Sequence, residues 1–566
     1  MTAVRTARSG RRPLLVGAVM AGPVLALCAP SAATAHAATT RPSPLAAPPA
    51  TSAPPVGGRV APSAVSPARW CSSPLAAARS WGNTASDLAA GRVRILGRAA
   101  TVDLRHLDLT TPPAAFREDT RAMWWRSLTW VVPLFVPEDR GGSRIADQLA
   151  QAVHRVADPG SATASALDRS YAVGWAEGTN TRREQALDCL VAVTRSASLT
   201  GELRRTVAAN LDPRRYYGPP AYPVHNHGTM ANLALLDSAA LLGSPKWAAT
   251  AVSRLRAELP GAFSPAGFTG EQSTAYHEFN RVLWQTVRTR LAGVPGGSVV
   301  GRAVGSMLVR AARMSAHLTS PTGARIPIGD GFVSTSAPPP PQRYLAVTDR
   351  VGGVLARRWS WRDPATTYWT QRLGDSFFSH GHYDWGSVTW GTRGVAVLVD
   401  PGGSANDRHD AVATWLHSPS GHNIAVPQSA RLGTGGAVLR SIGRSGRVDT
   451  SVVDSRLFTT RGVRTVRVDD ARHRLVIVDE MAGSFTSHVH LDPVWRPTWR
   501  TARSLGFTDG RHRLTVSVSP GSSARILVRS TSPVGGWVLP RPGVALGAVE
   551  ILVPSHDRLT TTLTVT

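Results

Sequence analysis

The sequence predicts an α+β multidomain chain, with packed helical hairpins in the N-terminal half and an antiparallel β-sandwich in the C-terminal half. Three observations predict it. Between about residues 144 and 317 apolar side chains recur at three- and four-residue spacing, Ala337 to Pro341 (APPPP) cannot be helical and marks a boundary, and beyond it the apolar period changes to two. At 566 residues with 42% hydrophobic content, the chain can fill more than one core.

The first element is a leader. Arg5, Arg8, Arg11 and Arg12 precede an apolar run from Pro13 to Pro30, and Ala35-His36-Ala37 supplies an A-x-A cleavage site, so residues 1–37 read as an export signal. No later segment is apolar for long enough to span a bilayer. Residues 38–69 are Pro, Ala and Ser with few large apolar side chains, the composition of a disordered linker. Packed structure should begin near Trp70.

The chain carries a formal net charge of +26, and removing the leader's four arginines leaves +22. Lys246 is its only lysine, so the charge is arginine, whose planar fork binds carboxylates, sulfates and phosphates bidentately. For an exported chain this favours an acidic polysaccharide or cell-wall polymer over nucleic acid. A compositional bias towards Ala, Arg, Gly and Pro accounts for part of the same excess. Cys28 leaves with the leader. Cys71 and Cys189 remain, able to form a disulfide in an oxidising compartment or to stay as two buried thiols.

From Trp70 to Ser336 the helical period dominates. Arg144 to Val156, Thr181 to Thr194, Met230 to Leu242, Ala249 to Leu259, Tyr276 to Leu291 and Val299 to His317 are each bounded by Gly, Pro, Asn or Ser. Asn180-Thr181 should open one helix and Gly243 close another. Many medium helices with short connections and no strands among them make a closed toroid or an open solenoid. In residues 342–566, Arg474 to Asp479, Leu514 to Val518, Ile526 to Val528, Val549 to Val553 and Leu559 to Val565 read as strands with no useful helix between them.

Two constellations carry chemistry. In the β half, His380-Gly381-His382-Tyr383-Asp384 read as a strand would turn His380, His382 and Asp384 to one face. Gly394 to Asp400 is a second strand ending in Asp400-Pro401-Gly402, and Gly421-His422-Asn423 follows one loop later. Neutral imidazole and carboxylate are ordinary zinc ligands, so a His, an Asp and a His brought together there are a plausible metal set; taken singly, each reads as a satisfied polar residue at a strand end. In the helical half, Asn226-His227-Gly228 opens an amphipathic helix whose N-terminal N–H groups suit a carboxylate, with Asn226 or Thr229 as cap. A second loop, Gly270-Glu271-Gln272-Ser273, opens the helix that carries Tyr276 and His277, and a phenol beside a cationic patch titrates low enough to exchange protons. Trp124 and Trp125, with Trp130 and Trp175, offer flat faces for sugar rings, although core packing is the commoner use of such residues.

Taken in order, N-H-G, G-E-Q-S-x-x-Y-H, H-x-H-x-D, D-P-G and G-H-N resemble the heparinase II/III-like polysaccharide lyases and related alginate lyases, over roughly Trp124 to the C-terminus. The resemblance implies an N-terminal (α/α) toroid of residues 70–336 followed by a C-terminal antiparallel β-sandwich of residues 342–566. It implies β-elimination at a uronic acid in an anionic polysaccharide. Asn226 and His227 match the pair that neutralises the substrate carboxylate, Tyr276 the acid or base at the glycosidic oxygen, and His380 a histidine reaching into the cleft. His382, Asp400 and His422 match a structural zinc set. Glu271, His277 and Arg281, near the same loop, are candidate substrate contacts together with Trp124 and Trp125. One departure stands out: many relatives carry a second tyrosine after D-P-G, and Gly402 to Ser420 contains none, leaving His409 and Tyr383 as the nearest stand-ins. A zinc hydrolase using metal-bound water, and a non-catalytic polysaccharide-binding protein, are the alternatives.

Overall fold

The computed structural model describes residues 67–136, 145–157, 173–332, 337–374, 380–403, 410–433, 435–541 and 544–566. The leader, nearly all of the linker, His409 and the side chain of Trp175 lie outside the described residues. The described residues pack as two compact units: 67–157 with 178–209, and 210–566 with 173–177. Among them no helix is long and apolar enough to cross a membrane.

The first unit contains α1 (Ala68–Ser80), α2 (Ala85–Ala89), α3 (Asp119–Arg126), α4 (Ala146–Ala157), most of α5 (Val173–Thr194) and α6 (Ala197–Leu211). Cys71 of α1 and Cys189 of α5 are joined by a disulfide. Asn180 does not open a helix as expected. It lies inside α5 and its Nδ2 donates to the Thr206 carbonyl at 3.0 Å, so its polarity is satisfied across the α5–α6 pair. A hairpin of β1 (Arg92–Ile95) and β2 (Arg98–Thr101) interrupts the helices, against expectation. Its strands are too short to show a period, and its two-residue turn, Leu96-Gly97, has positive φ at both positions.

In the second unit α7 (Asn226–Leu242) and α8 (Pro245–Ala262) form one helical hairpin, and α9 (Thr274–Leu291) and α10 (Gly297–His317) another. Gly243 closes α7 as its position suggested, and Ser273 caps α9 by accepting from the Tyr276 N–H at 3.3 Å.

Two antiparallel sheets follow. The smaller runs β3 (Ala346–Asp349), β4 (Val354–Arg358), β5 (Tyr368–Arg372), β6 (Val388–Thr392) and β7 (Val395–Leu398) in sequence order. The larger contains β8 (Ala425–Pro427), β9 (Ala437–Ser445), β10 (Val448–Ser455), β11 (Gly462–Asp469), β12 (Arg474–His490), β13 (Arg496–Arg500), β14 (Ser504–Thr508), β15 (Arg513–Val518), β16 (Arg525–Val528) and β17 (Val549–Val565). Its central strands β12 and β17 are 17 residues each, and β17 joins two stretches that read as separate strands in the sequence. One core, with Leu355, Trp369 and Trp390 from the smaller sheet against Val466, Ile477, Phe485 and Leu563 from the larger, makes the pair a sandwich. On the other face of the smaller sheet, Met314 of α10, Leu318 at its end and Phe268 from the connection before α9 pack on Val354, Ala356 and Tyr368. Arg358 of β4 reaches the carbonyls of Ala316, His317 and Thr319, capping the C-terminal end of α10 and fixing that helix to the sheet.

The region between these layers differs from the sequence expectation in two respects. Residues 380–387 are a loop between β5 and β6, not a strand. Their backbone bonds go to neighbouring loops instead of a ladder: the Asp330 N–H donates to the His380 carbonyl at 2.8 Å, and the Tyr383 N–H to the His417 carbonyl at 3.2 Å. A short helix, α11 (Ala411–His417), also lies in the half expected to lack helices, capped by Asp410.

Candidate active site

The site is built from loops of the second unit gathered around the 380–387 loop, which carries His380 and His382. The first opens α7. Neither Asn226 nor Thr229 is the cap; His225 is, its Nδ1 accepting from the His227 N–H at 3.2 Å, which leaves the proton of a neutral His225 on Nε2. The expected carboxylate at this helix end is supplied by the protein. Glu271 accepts from the Asn226 N–H at 2.9 Å and from Asn226 Nδ2 at 2.8 Å, and also from Asn280 Nδ2 at 2.9 Å.

The second loop delivers Tyr276 in the first turn of α9. Its ring lies on that of His380, centroids 3.4 Å apart and planes at 9°. Tyr276 Oη is buried with no hydrogen-bond partner among the described residues. Burial and the Asp330 and Glu271 carboxylates push its pKa well above the usual phenol range. This reverses the sequence expectation, because the groups around the phenol are acidic. Such a phenol stays protonated and can only give a proton up to a group that develops stronger basicity.

The third loop, Ile328-Gly329-Asp330-Gly331, went unnoticed in the sequence and supplies the central carboxylate. Asp330 Oδ2 accepts from His380 Nδ1 at 2.8 Å and Oδ1 pairs with His382 Nε2 at 3.0 Å, so one carboxylate orients both histidines of H-x-H. Burial would raise its pKa, but hydrogen bonds from His380, His382 and His417 hold it well below the usual carboxylate value. Gly329 is required here: its φ is +56°, and a Cβ would collide with the carbonyls of His380 and Gln272. A glycine-flanked acid after the last long helix was the available signal. The third member of H-x-H-x-D turns elsewhere, since Asp384 accepts from Arg372 Nε at 2.9 Å.

The fourth and fifth loops follow D-P-G. Asp400 Oδ2 accepts from His422 Nδ1 at 2.9 Å while its Oδ1 accepts from the Gly402 N–H at 3.1 Å. The rings of His382 and His422 are 5.4 Å apart, and His417 of α11 stands 4.1 Å from the His382 ring. His382 Nδ1 and His422 Nε2 are buried without partners among the described residues. Both imidazole nitrogens are therefore open to a metal ion. Asp400, however, is spent on the far nitrogen of His422, the position of a residue that orients a ligand. Among the described residues, the three-residue groups with donor atoms within 4.8 Å of one another are His225/Glu271/His380, Asp330/His382/His417 and His488/His490/Glu550.

The predicted Asn226, His227, Tyr276, His380 and Glu271 thus come together. His227 lies 4.5 Å from the His225 ring, which is 5.9 Å from His380. Burial holds the His225 imidazole down to about 3, so it is neutral. Tyr217, which drew no attention in the sequence, is half-buried 5.8 Å from His227 and stacks on Tyr222 at 4.7 Å.

The other candidates are placed elsewhere. His277 is buried between Phe263 and Phe268 with Nε2 on the Ala311 carbonyl and Ser315 Oγ, because its side of α9 faces α10. Arg281 is paired with Glu278 one turn away and with Ser315. Trp124 and Trp125 are core residues of the first unit, each 2% exposed, Trp125 stacked on Trp130 and Trp124 edge-on to Trp81. Tyr383 packs against the sandwich core.

No protein-family profile matches the chain, and no curated protein matches it. Solved structures do. A heparinase III, the BT4657 gene product with methylated lysines, superposes with TM-score 0.63 at 14% identity over 86% of this chain and 84% of its own. A mutant of heparan sulfate lyase HepC from Pedobacter heparinus gives 0.62 at 13% identity over 86% and 82%, and the unmutated HepC 0.60 at 12% over the same shares. This chain therefore shares their fold: helices first, then an antiparallel sandwich.

Proposed function

We propose that the protein is an exported lyase that cleaves a uronate-containing anionic polysaccharide by β-elimination. The observation that carries this reading is the Tyr276–His380 stack beside the Asn226–Glu271 pair. The reaction removes the proton at C5 of the uronate, forms a C4–C5 double bond and expels the glycosidic oxygen from C4. Asn226 has a second amide hydrogen besides the one on Glu271, available to the substrate carboxylate, where charge builds as C5 loses its proton. His227 is the base in this reading, and Tyr276, kept protonated, is the acid for the leaving oxygen. Asp330 keeps His380 in register with the phenol. Tyr217 is the phenol that takes the place of the tyrosine missing after D-P-G. Export rests on the leader, and the arginine-borne positive charge suits a polyanionic substrate.

A zinc ion, held by the free nitrogens of His382 and His422 with Asp400 fixing the latter, would tie the loop after β5 to the loop after α11 and add positive charge behind the site. The test of the lyase reading is incubation with alginate, heparan-type, chondroitin-type and bacterial capsule polysaccharides, with wild type and Tyr276→Phe side by side. New near-ultraviolet absorbance from an unsaturated uronate end is expected from wild type alone. Absence of that chromophore on every acidic polymer would overturn the reading.

One observation favours a second reading. His225, Glu271 and His380 present donor atoms within 4.8 Å of one another at the same place, the three protein ligands that a catalytic metal uses. Scission without a double bond, abolished by chelation, would select a metal-dependent hydrolase.

A further inference from the structure

We propose a second metal site, outside the catalytic group, in which His488, His490 and Glu550 hold one divalent transition-metal ion such as zinc. His488 and His490 stand two residues apart on β12 and therefore face the same side of the sheet. Glu550 of β17 is the direct cross-strand partner of His490, so its side chain joins them on that face. The spacing is set by the register of the ladder itself.

Glu550 Oε1 lies 2.8 Å from His488 Nδ1 and 4.0 Å from His490 Nε2. Its other oxygen accepts from the Gly536 N–H at 2.9 Å, and a Cβ on Gly535 would occupy the same space, so the Gly535-Gly536 turn holds the carboxylate with one oxygen towards the imidazoles. His490 is 2% exposed, and its Nε2 is buried with no hydrogen-bond partner among the described residues. A buried imidazole nitrogen aimed past a carboxylate, with a second imidazole beside it, leaves a gap that a cation fills and a hydrogen bond does not. Two imidazoles and one carboxylate select zinc or a neighbouring first-row ion over calcium or magnesium, which prefer all-oxygen surrounds. His488 is 11% exposed and gives the ion its route from solvent.

The role is structural. The His490 N–H donates to Asn423 Oδ1 at 2.7 Å and its carbonyl accepts from the Val399 N–H at 2.9 Å, so the same residue anchors the G-H-N loop and the D-P-G strand. An ion here would stiffen the shelf that carries Asp400 and His422.

The test uses the full chain, stripped of metal and titrated with Zn2+ against a chromogenic competitor. The folded variant His488→Ala/His490→Ala is expected to bind one equivalent fewer than wild type, and Glu550→Gln to weaken that equivalent by at least about tenfold. Equal stoichiometry and affinity in wild type and folded variants would overturn the proposal. Wild-type crystals grown with Zn2+ and measured at the zinc absorption edge decide it if the variants do not fold. Anomalous density between the three side chains supports the site, and its absence there overturns it.

Discussion

The Tyr276 ring lies face to face on the His380 imidazole, 3.4 Å between centroids, although 104 residues of chain separate them. The phenol oxygen has no partner among the described residues, so its hydroxyl is held for something else. Tyr276→Phe should leave the fold intact and lower turnover by about 10²–10⁴-fold, the usual worth of a positioned acid. Polymer binding should survive. Thermal melts by circular dichroism and the unsaturated-product assay check both halves, and a variant with wild-type turnover would remove Tyr276 from the chemistry.

Glu271 collects three donors from Asn226 and Asn280. Burial raises its pKa, but His225, His380, Asn280 and Asn226 together bring it below the ordinary value, so it is ionised. Glu271→Gln places an amide hydrogen where a carboxylate oxygen received one. The expected result is a loss of about 1–3 kcal/mol in urea unfolding, together with reduced turnover as Asn226 shifts. Unchanged unfolding would mean that the network contributes nothing.

Glu258 on α8 is buried under α7, bonded to Tyr216, to Thr229 Oγ1 at 2.8 Å and to Asn232 Nδ2 at 2.9 Å. Burial pushes its pKa from 4.5 up to about 7. A carboxyl raised on folding binds more protons in the native state, so its contribution is full below pH 4.5 and is lost as pH rises to about 7. The loss is at most about 3 kcal/mol. Glu258→Gln, shaped like the protonated acid, should flatten this part of the stability–pH curve. Parallel slopes for the two proteins in denaturant titrations would contradict it.

Zinc at the His382–His422 pair would stabilise the native state by about 3 kcal/mol at a hundredfold excess over Kd. The part of the zinc-induced rise in Tm that belongs to this pair is what His422→Ala removes. An identical rise in both proteins would place the ion elsewhere.

The helices were legible because each is long enough for three- and four-residue apolar spacing to repeat within it. Five of the six anticipated segments start within about four residues of the observed helices; α5 begins eight residues before its anticipated start, at Val173 instead of Thr181. Short elements were not legible. The β1–β2 hairpin and α11 contain too few residues for a period to repeat, and the H-x-H-x-D stretch alternates like a strand without lying beside one.

The order of motifs in the sequence alone determined that Asn226, His227, Tyr276 and His380 deserve to be considered together, and its two periods determined a helical half followed by a β half. Only the tertiary structure decided which polar groups face which. It put the protein's own Glu271 at the start of α7, Asp330 between His380 and His382, Asp400 on His422, and His277, Trp124 and Trp125 in packed cores. The physical reason is that a side chain's charge, tautomer and exposure are set by partners tens or hundreds of residues away. A linear pattern records which groups are available and not which of them desolvation leaves in contact.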